Sequence, residues 1–164
     1  CLLAGIVNDT DALSNPAASQ PAFQAAAKLM SGGADWRTLL GLFVKNRPIN
    51  ALRLMGRAMA RLKFDSETGL ASTVIFRDDY PEGADDCQMD GFANFLGSTL
   101  DVDVVLVLKD GGDGIVNGSF RTVGEADVSA VAQRLGGGGH RKAAGFSVPG
   151  KVVEREHGWA IAGK

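Results

Sequence analysis

Four consecutive glycines, Gly136-Gly137-Gly138-Gly139, followed at once by His140, Arg141 and Lys142, constrain this chain more than any other stretch of it. Each glycine costs about 0.5–1 kcal/mol more to order than alanine inside regular structure. A fold that orders four in a row must therefore use the missing Cβ atoms. Successive N–H groups without side chains can form a concave nest for an anion. His140 adds a hydrogen-bonding group, and Arg141 and Lys142 add positive charge. The expectation is a loop that holds a phosphate. The plain structural alternative is a helix C-cap, where glycine is the usual residue. The chain carries 22 glycines in 164 residues, against roughly 11 or 12 at average usage. Several should mark tight turns or close backbone approaches.

Composition narrows the function classes. The net charge is −2, so any anion binding must come from a local site and not from the overall field. The 45% hydrophobic and 22% charged content is that of a soluble globular protein. No apolar run approaches the roughly 20 residues that cross a bilayer, so no membrane association is expected. Two cysteines, Cys1 and Cys87, argue for a reducing compartment without a disulfide framework, and so for a cytoplasmic location. The apolar run at residues 2–7 reads as a strand buried on both faces of a parallel sheet. Starting inside such a strand suggests a piece of a longer protein. It would leave an open strand edge through which copies of the chain could self-associate.

The rest of the chain reads as alternating helices and strands. Pro21 suits the first turn of a helix ending at Gly32-Gly33, with Phe23, Ala26, Ala27 and Met30 on one face. Asp35 caps a second helix, with Trp36, Leu39, Leu40 and Phe43 inward. Pro48 opens a third, with Ile49, Leu52, Met59 and Leu62 inward. A polar turn at residues 63–69 marks a domain boundary. Strands are expected at 70–77, 102–109 and 115–121, with a hairpin loop at 110–114. Helices are expected at 88–98, with Phe92, Phe95 and Leu96 inward, and at 127–135. A last short strand spans 143–148. The charged stretch Glu154-Arg155-Glu156-His157 reads as a solvated tail.

Two further groups carry chemistry. Side chains alternate along a strand, so Ser119 and Arg121 share a face while Phe120 points into the core. Arginine suits bidentate phosphate contacts. Asp9 and Asp11 follow the first apolar run. A carboxylate there is placed to hold a hard divalent cation, although a turn or cap aspartate fits as well.

Together these residues resemble the DHH phosphoesterase superfamily. Asn117-Gly118-Ser119-Phe120-Arg121, residues 128–135, Gly136 to His140 and Ala143-Ala144-Gly145 are similar, in order and spacing, to the DHH-associated domain of the type with a GGGGH loop. Gly91-Phe92-Ala93-Asn94-Phe95-Leu96 resembles the helix that precedes its central strand. Gly5 to Asp11 resembles the fourth motif of the catalytic DHH domain, with Asp9 at the metal-ligand position. Asn8 and Asp11 depart from that motif, where Thr and Gly are usual. No Asp-His-His sequence occurs.

The resemblance implies an α/β chain in which residues 1–63 are the end of a parallel-sheet DHH domain. Residues 69–149 form a smaller, mixed-sheet, substrate-binding associated domain, and 150–164 a tail. It implies a parent enzyme that hydrolyses phosphodiester or phosphomonoester bonds of short RNA or DNA oligonucleotides or nucleotides, using manganese or magnesium. Asp9 is then one metal ligand, while Gly136, Gly137, Gly138, Gly139, His140, Arg121, Ser119 and Asn94 contact substrate. Without the Asp-His-His half, this chain alone is expected to hydrolyse nothing and to hold metal poorly. Two alternatives stand beside it: a non-enzymatic nucleic-acid-binding module like the C-terminal domain of alanyl-transfer-RNA synthetases, and an exopolyphosphatase-like hydrolase.

Overall fold

A computed structural model of the chain describes residues 1–15, 17–43, 47–81, 89 and 91–163, the side chain of Phe43 excepted. Cys87 and the beginning of the helix expected at 88–98 lie outside the described residues. The chain divides into two compact units, Cys1–Pro48 and Ile49–Lys164. The division precedes the expected boundary at 63–69, because the helix after Pro48 packs on the sheet of the second unit.

The first unit contains α1 (Leu2–Asp9), α2 (Gln20–Ser31) and α3 (Trp36–Phe43). The expected strand at residues 2–7 is thus a helix, and the open strand edge proposed for self-association is absent with it. The physical reason is that a short apolar run fits either element. Here Leu3 and Val7, spaced i and i+4, bury together with Ala26 of α2, while Leu2 faces solvent. Pro21 stands in the first turn of α2 as expected, but Phe23 and Met30 are exposed. Asp35 accepts from the Thr38 N–H and hydroxyl and so begins α3.

The second unit runs α4 (Ile49–Ala60), β1 (Lys63–Asp65), β2 (Leu70–Phe76), a single 3-10 turn at Arg77–Asp79, α5 (Phe92–Thr99), β3 (Val104–Asp110), β4 (Ile115–Thr122), α6 (Val128–Arg134), β5 (Gly138–His140), β6 (Ala143–Pro149), β7 (Lys151–Arg155) and β8 (Gly158–Ala162). The six-stranded sheet has the order β1-β2-β3-β4-β6-β5. β2 and β3 pair in parallel, and the other neighbours pair antiparallel. This is the expected α/β class with a mixed sheet, and β3 is the central strand.

Each face of the sheet is covered differently. On one face, Leu54, Met55 and Ala58 of α4 and Phe92, Ala93 and Leu96 of α5 pack on Ala71, Ile75, Val105 and Val107. α4 packs on β2, and α5 packs on β3 and β4. α4 turns Leu54 and Met55 inward, while Ile49, Leu52 and Met59, three of those expected inward, are exposed, and so is Phe95 of α5. Small Ala51 and Ala58 let the α4 backbone come close to the sheet, and the buried Thr73 hydroxyl donates to the Ala58 carbonyl. On the opposite face, Val128 and Ala132 of α6 and Val152 of β7 bury Val74, Leu106, Leu108, Val116, Phe120, Ala144 and Phe146.

The expected tail is a folded hairpin, β7–β8. Trp159 and Ile161 pack against the second face, and the Trp159 indole Nε1 donates to the Arg61 carbonyl at 3.0 Å. The Val152 N–H donates to the buried Asp110 carboxylate at 2.9 Å. His157, at the hairpin turn, is solvent-exposed as expected.

Candidate functional site

The part of the first face beyond α4 and α5 is formed by β6, β5 and the side of β4 next to them, with α5 at its border. Cross-strand partners share a face, and the register arranges three rows across it. Arg121 pairs with Ala143, which pairs with His140. Ser119 pairs with Gly145, which pairs with Gly138. Asn117 pairs with Ser147. Phe120 points to the other face and packs on Phe146 with ring centroids 5.4 Å apart. The expected split between Ser119 and Arg121 on one side and Phe120 on the other is therefore present.

Arg121 is the most constrained polar group on this surface. Its Nε donates to Oδ1 of Asn94 on α5 at 2.5 Å, and its Nη1 donates to its neighbour's carbonyl, that of Phe120, at 2.7 Å. Both acceptors are neutral, and among the described residues no carboxylate pairs with Arg121. Burial pulls its guanidinium below the ordinary value. Arg121, Ser119, Lys109 and the start of α5 at Gly91 line a cavity of about 130 Å³. Gly97 gives Arg121 its room: a Cβ there would stand 3.1 Å from the Arg121 Cβ.

The glycine run does not form the expected loop nest. Gly136 takes the left-handed position past the end of α6, with φ 75°. Its N–H donates to the Gln133 carbonyl and that of Gly137 to the Ala132 carbonyl. These two donors are spent on the helix end. Gly138 to His140 then run as the edge strand β5. Three of the four glycines are required by packing or conformation. Gly136 has a positive φ, a Cβ on Gly137 would meet the Gly145 carbonyl oxygen at 2.1 Å, and Gly139 combines φ 142° with a 2.5 Å approach to the Ala143 carbonyl oxygen. At Gly138 a Cβ would meet no atom within 4 Å.

Arg141 and Lys142 turn away from the anion-binding role expected of them. Arg141 donates to the carbonyl and carboxylate of Glu125. The Lys142 ammonium donates to the Gly124 carbonyl. Both hold the β4–α6 connection, which Asp127 continues by capping α6 at the N–H groups of Ser129 and Ala130.

Gly145, part of the Ala143-Ala144-Gly145 match, joins the surface, and so does Ser147, which had not stood out in the sequence. Alternation along β6 is the signal for them, but only once β6 is known to pair with β4. The Ser147 hydroxyl donates to Oδ1 of Asn117 at 2.5 Å.

Asp9 ends α1 and is exposed. Its carboxylate accepts from the Asn8 side chain at 3.4 Å, and its carbonyl accepts from Asn15. Asp11 begins a run of three left-handed residues, Asp11, Ala12 and Leu13. Among the described residues no group of three or more His, Cys, Asp or Glu side chains converges to hold a metal ion. The described residues therefore do not form a complete manganese or magnesium site.

Residues 67–156 match the family described as the DHHA1 domain. The chain is 33% identical over 139 residues to the cyclic-di-AMP phosphodiesterase GdpP of Geobacillus thermodenitrificans, covering 85% of this chain and 20% of that protein. It thus spans about one fifth of the length of that relative. The fold resembles the crystal structure of an exopolyphosphatase-related protein from Bacteroides fragilis, with a TM-score of 0.73 and 22% identity over 86% of this chain and 42% of that one. With more than half of its residues matched to one family and its sheet, glycine run and Arg121 strand where that match lies, the chain belongs to the DHHA1 domain family of the DHH phosphoesterases.

Proposed function

We propose that the open half of the sheet is the nucleotide-holding surface of a phosphodiesterase acting on dinucleotides or short oligonucleotides. The observation that carries this reading is Arg121: a shielded guanidinium whose described partners are neutral oxygens and which stands beside Ser119 and in one row with His140. A partly buried cation without a counter-ion loses some of its hydration, and a substrate phosphate would offset that loss with charge-assisted hydrogen bonds. In this reading Arg121 and His140 hold the phosphate, Ser119 donates to it, and Asn94 orients the guanidinium without touching substrate. The Geobacillus relative is a cyclic-di-AMP phosphodiesterase, which supports that substrate class.

Manganese or magnesium would supply an activated water and neutralise the reacting phosphate when bound. Asp9 would contribute one carboxylate, with the remaining ligands coming from residues outside this sequence. This chain binds nucleotide and does not hydrolyse it.

The test is a calorimetric titration of the chain with the linear dinucleotide pApA. Arg121→Ala is expected to weaken binding roughly ten- to a hundredfold, the range for losing a hydrogen bond to a charged group. Undiminished binding by that variant, or none by the parent chain, would overturn the reading.

A further inference from the structure

A second cavity, of about 400 Å³, opens where the β7–β8 hairpin crosses the β1–β2 end of the sheet. Asp65, Leu70, Ser72, Gly158 and Trp159 line it. Leu70 and Trp159 belong to the core of the second face, so the cavity lies on the side of the sheet away from Arg121. Asp65, Gly158 and Trp159 stand outside residues 67–156, so the family match does not account for it.

Ser72 is the residue that points to a ligand. It is 1% exposed, and its Oγ makes no hydrogen bond with any described residue. A buried hydroxyl without a partner is unfavourable. Its neighbour Thr73 avoids that state by donating to the Ala58 carbonyl. Alternation places Ser72 between Leu70 and Val74 on the second face, beneath the hairpin. A Cβ on Gly158 would stand 3.1 Å from the Ser72 Oγ, so the missing side chain of Gly158 leaves room above the hydroxyl.

The charge beside Ser72 is negative. Asp65 pairs with Leu70 across the β1–β2 ladder. Asp65 and Ser72 are therefore diagonal neighbours on one face, about 7–8 Å apart. The Asp65 carboxylate accepts from the Thr68 hydroxyl and the Glu67 N–H, both at 2.9 Å. The Thr68 hydroxyl, then its N–H and that of Glu67, hold the carboxyl below its ordinary value, so it is charged at neutral pH. Two of its roughly four acceptor positions remain. Lys63, on the same face, is engaged elsewhere: its ammonium donates to the Glu154 carboxylate and the Arg155 carbonyl, each at 2.7 Å. Arg155, Glu156 and His157 stand at the rim and are exposed, where water and salt screen them.

We propose that this cavity binds the ammonium group of a small primary amine. The ammonium lies between the Asp65 carboxylate and the Ser72 hydroxyl, and the apolar part of the ligand lies against Leu70 and Trp159. Two hydrogen bonds of roughly 2.8 Å each span most of the separation of the two side chains. An anion would be repelled by Asp65. Among the described residues no three His, Cys, Asp or Glu side chains converge there to hold a metal ion.

The experiment is an amide chemical-shift titration of the chain at neutral pH with n-butylammonium, and with n-butanol and n-butyrate as neutral and anionic counterparts. Thermal melting accompanies each variant. The parent chain is expected to bind butylammonium in the millimolar range, with shifts at residues 63–72 and 155–159, and the other two at least roughly tenfold more weakly. Ser72→Ala should lose about tenfold in amine affinity yet melt at or above the parent temperature, because it removes an unpaired buried hydroxyl. Gly158→Ala, which sets a methyl against that hydroxyl and leaves Asp65 and its turn intact, should lose affinity as well. Equal binding of amine and alcohol, or no shifts with the amine, overturns the proposal. So does a Ser72→Ala chain that binds the amine as the parent does, or that melts below it, since the hydroxyl then serves the fold alone.

Discussion

The guanidinium of Arg121 on β4 and the side-chain oxygen of Asn94 on α5 meet at 2.5 Å, so a helix residue fixes the direction of the cation on the sheet. Asn94→Ala should leave the charge in place and free its orientation. We expect a roughly three- to tenfold loss of pApA affinity, smaller than that of Arg121→Ala, since the charge that meets the phosphate is kept and only its orientation is lost. A titration of the two variants side by side checks the order. A larger loss for Asn94→Ala would assign direct substrate contact to Asn94.

An ion pair joins Arg61, just past the end of α4, to Asp79 in the 3-10 turn after β2. Arg61 donates to both carboxylate oxygens of Asp79, at 2.5 and 2.7 Å, and the Phe76 N–H donates to the same carboxylate at 2.8 Å. Burial would raise the Asp79 carboxyl, but Arg61 and the Phe76 N–H outweigh it and hold the group below its ordinary value. A carboxylate depressed in the folded state adds stability that is complete above its unfolded value, near 3.9. That stability is lost as pH falls through the lower folded value. Chemical denaturation from pH 7 to pH 2 should show a loss of stability below about pH 4 that is reduced in Asp79→Asn. At pH 7 that substitution is expected to cost about 3 kcal/mol by leaving Arg61 partly buried without its partner.

Gly118 lies directly beneath the ring of Phe146: a Cβ there would stand 2.1 Å from the ring. Gly118→Ala is expected to destabilise by about 1–3 kcal/mol through overpacking. The double variant with Phe146→Leu should recover part of that loss. Urea denaturation of both measures it, and equal stability of the single variant and the parent would contradict the packing.

The hairpin β7–β8 covers the face opposite the open surface, through Val152, Trp159 and Ile161. Trp159→Ala is expected to cost about 2 kcal/mol, below the range for a fully buried tryptophan because the side chain is only partly covered. Binding of pApA should be unchanged. Thermal melting and calorimetry together check it, and a loss of affinity without loss of stability would place ligand contacts on this face.

The parts of the fold that follow from local pattern are legible in the sequence. Alternation puts Phe120 in and Ser119 and Arg121 out, and Asp127 with Gly136 brackets α6. The run at residues 2–7 is not legible in this way, because Leu3 and Val7 fit a helical spacing as well as a buried strand. On α4 the inward face combines large Leu54 and Met55 with small residues, so apolar size alone does not identify it. Ala51 and Ala58 are buried while the larger Ile49 and Leu52 are exposed. The roles of Gly138, Gly145 and Ser147 depend on which strands are neighbours, and a single sequence does not state the β4–β6–β5 pairing. Arg141 and Lys142 read as phosphate ligands from charge alone, yet the carbonyls that engage them belong to a connection 16 to 19 residues away in sequence.

The most direct test of the nucleotide surface is an amide chemical-shift titration of the labelled chain with pApA. The account predicts that the largest shifts fall on Asn117, Ser119, Arg121, Gly138, His140, Gly145 and Ser147, on the open half of the sheet. Shifts concentrated on α6 and the β7–β8 hairpin, or no shifts at millimolar pApA, would contradict it.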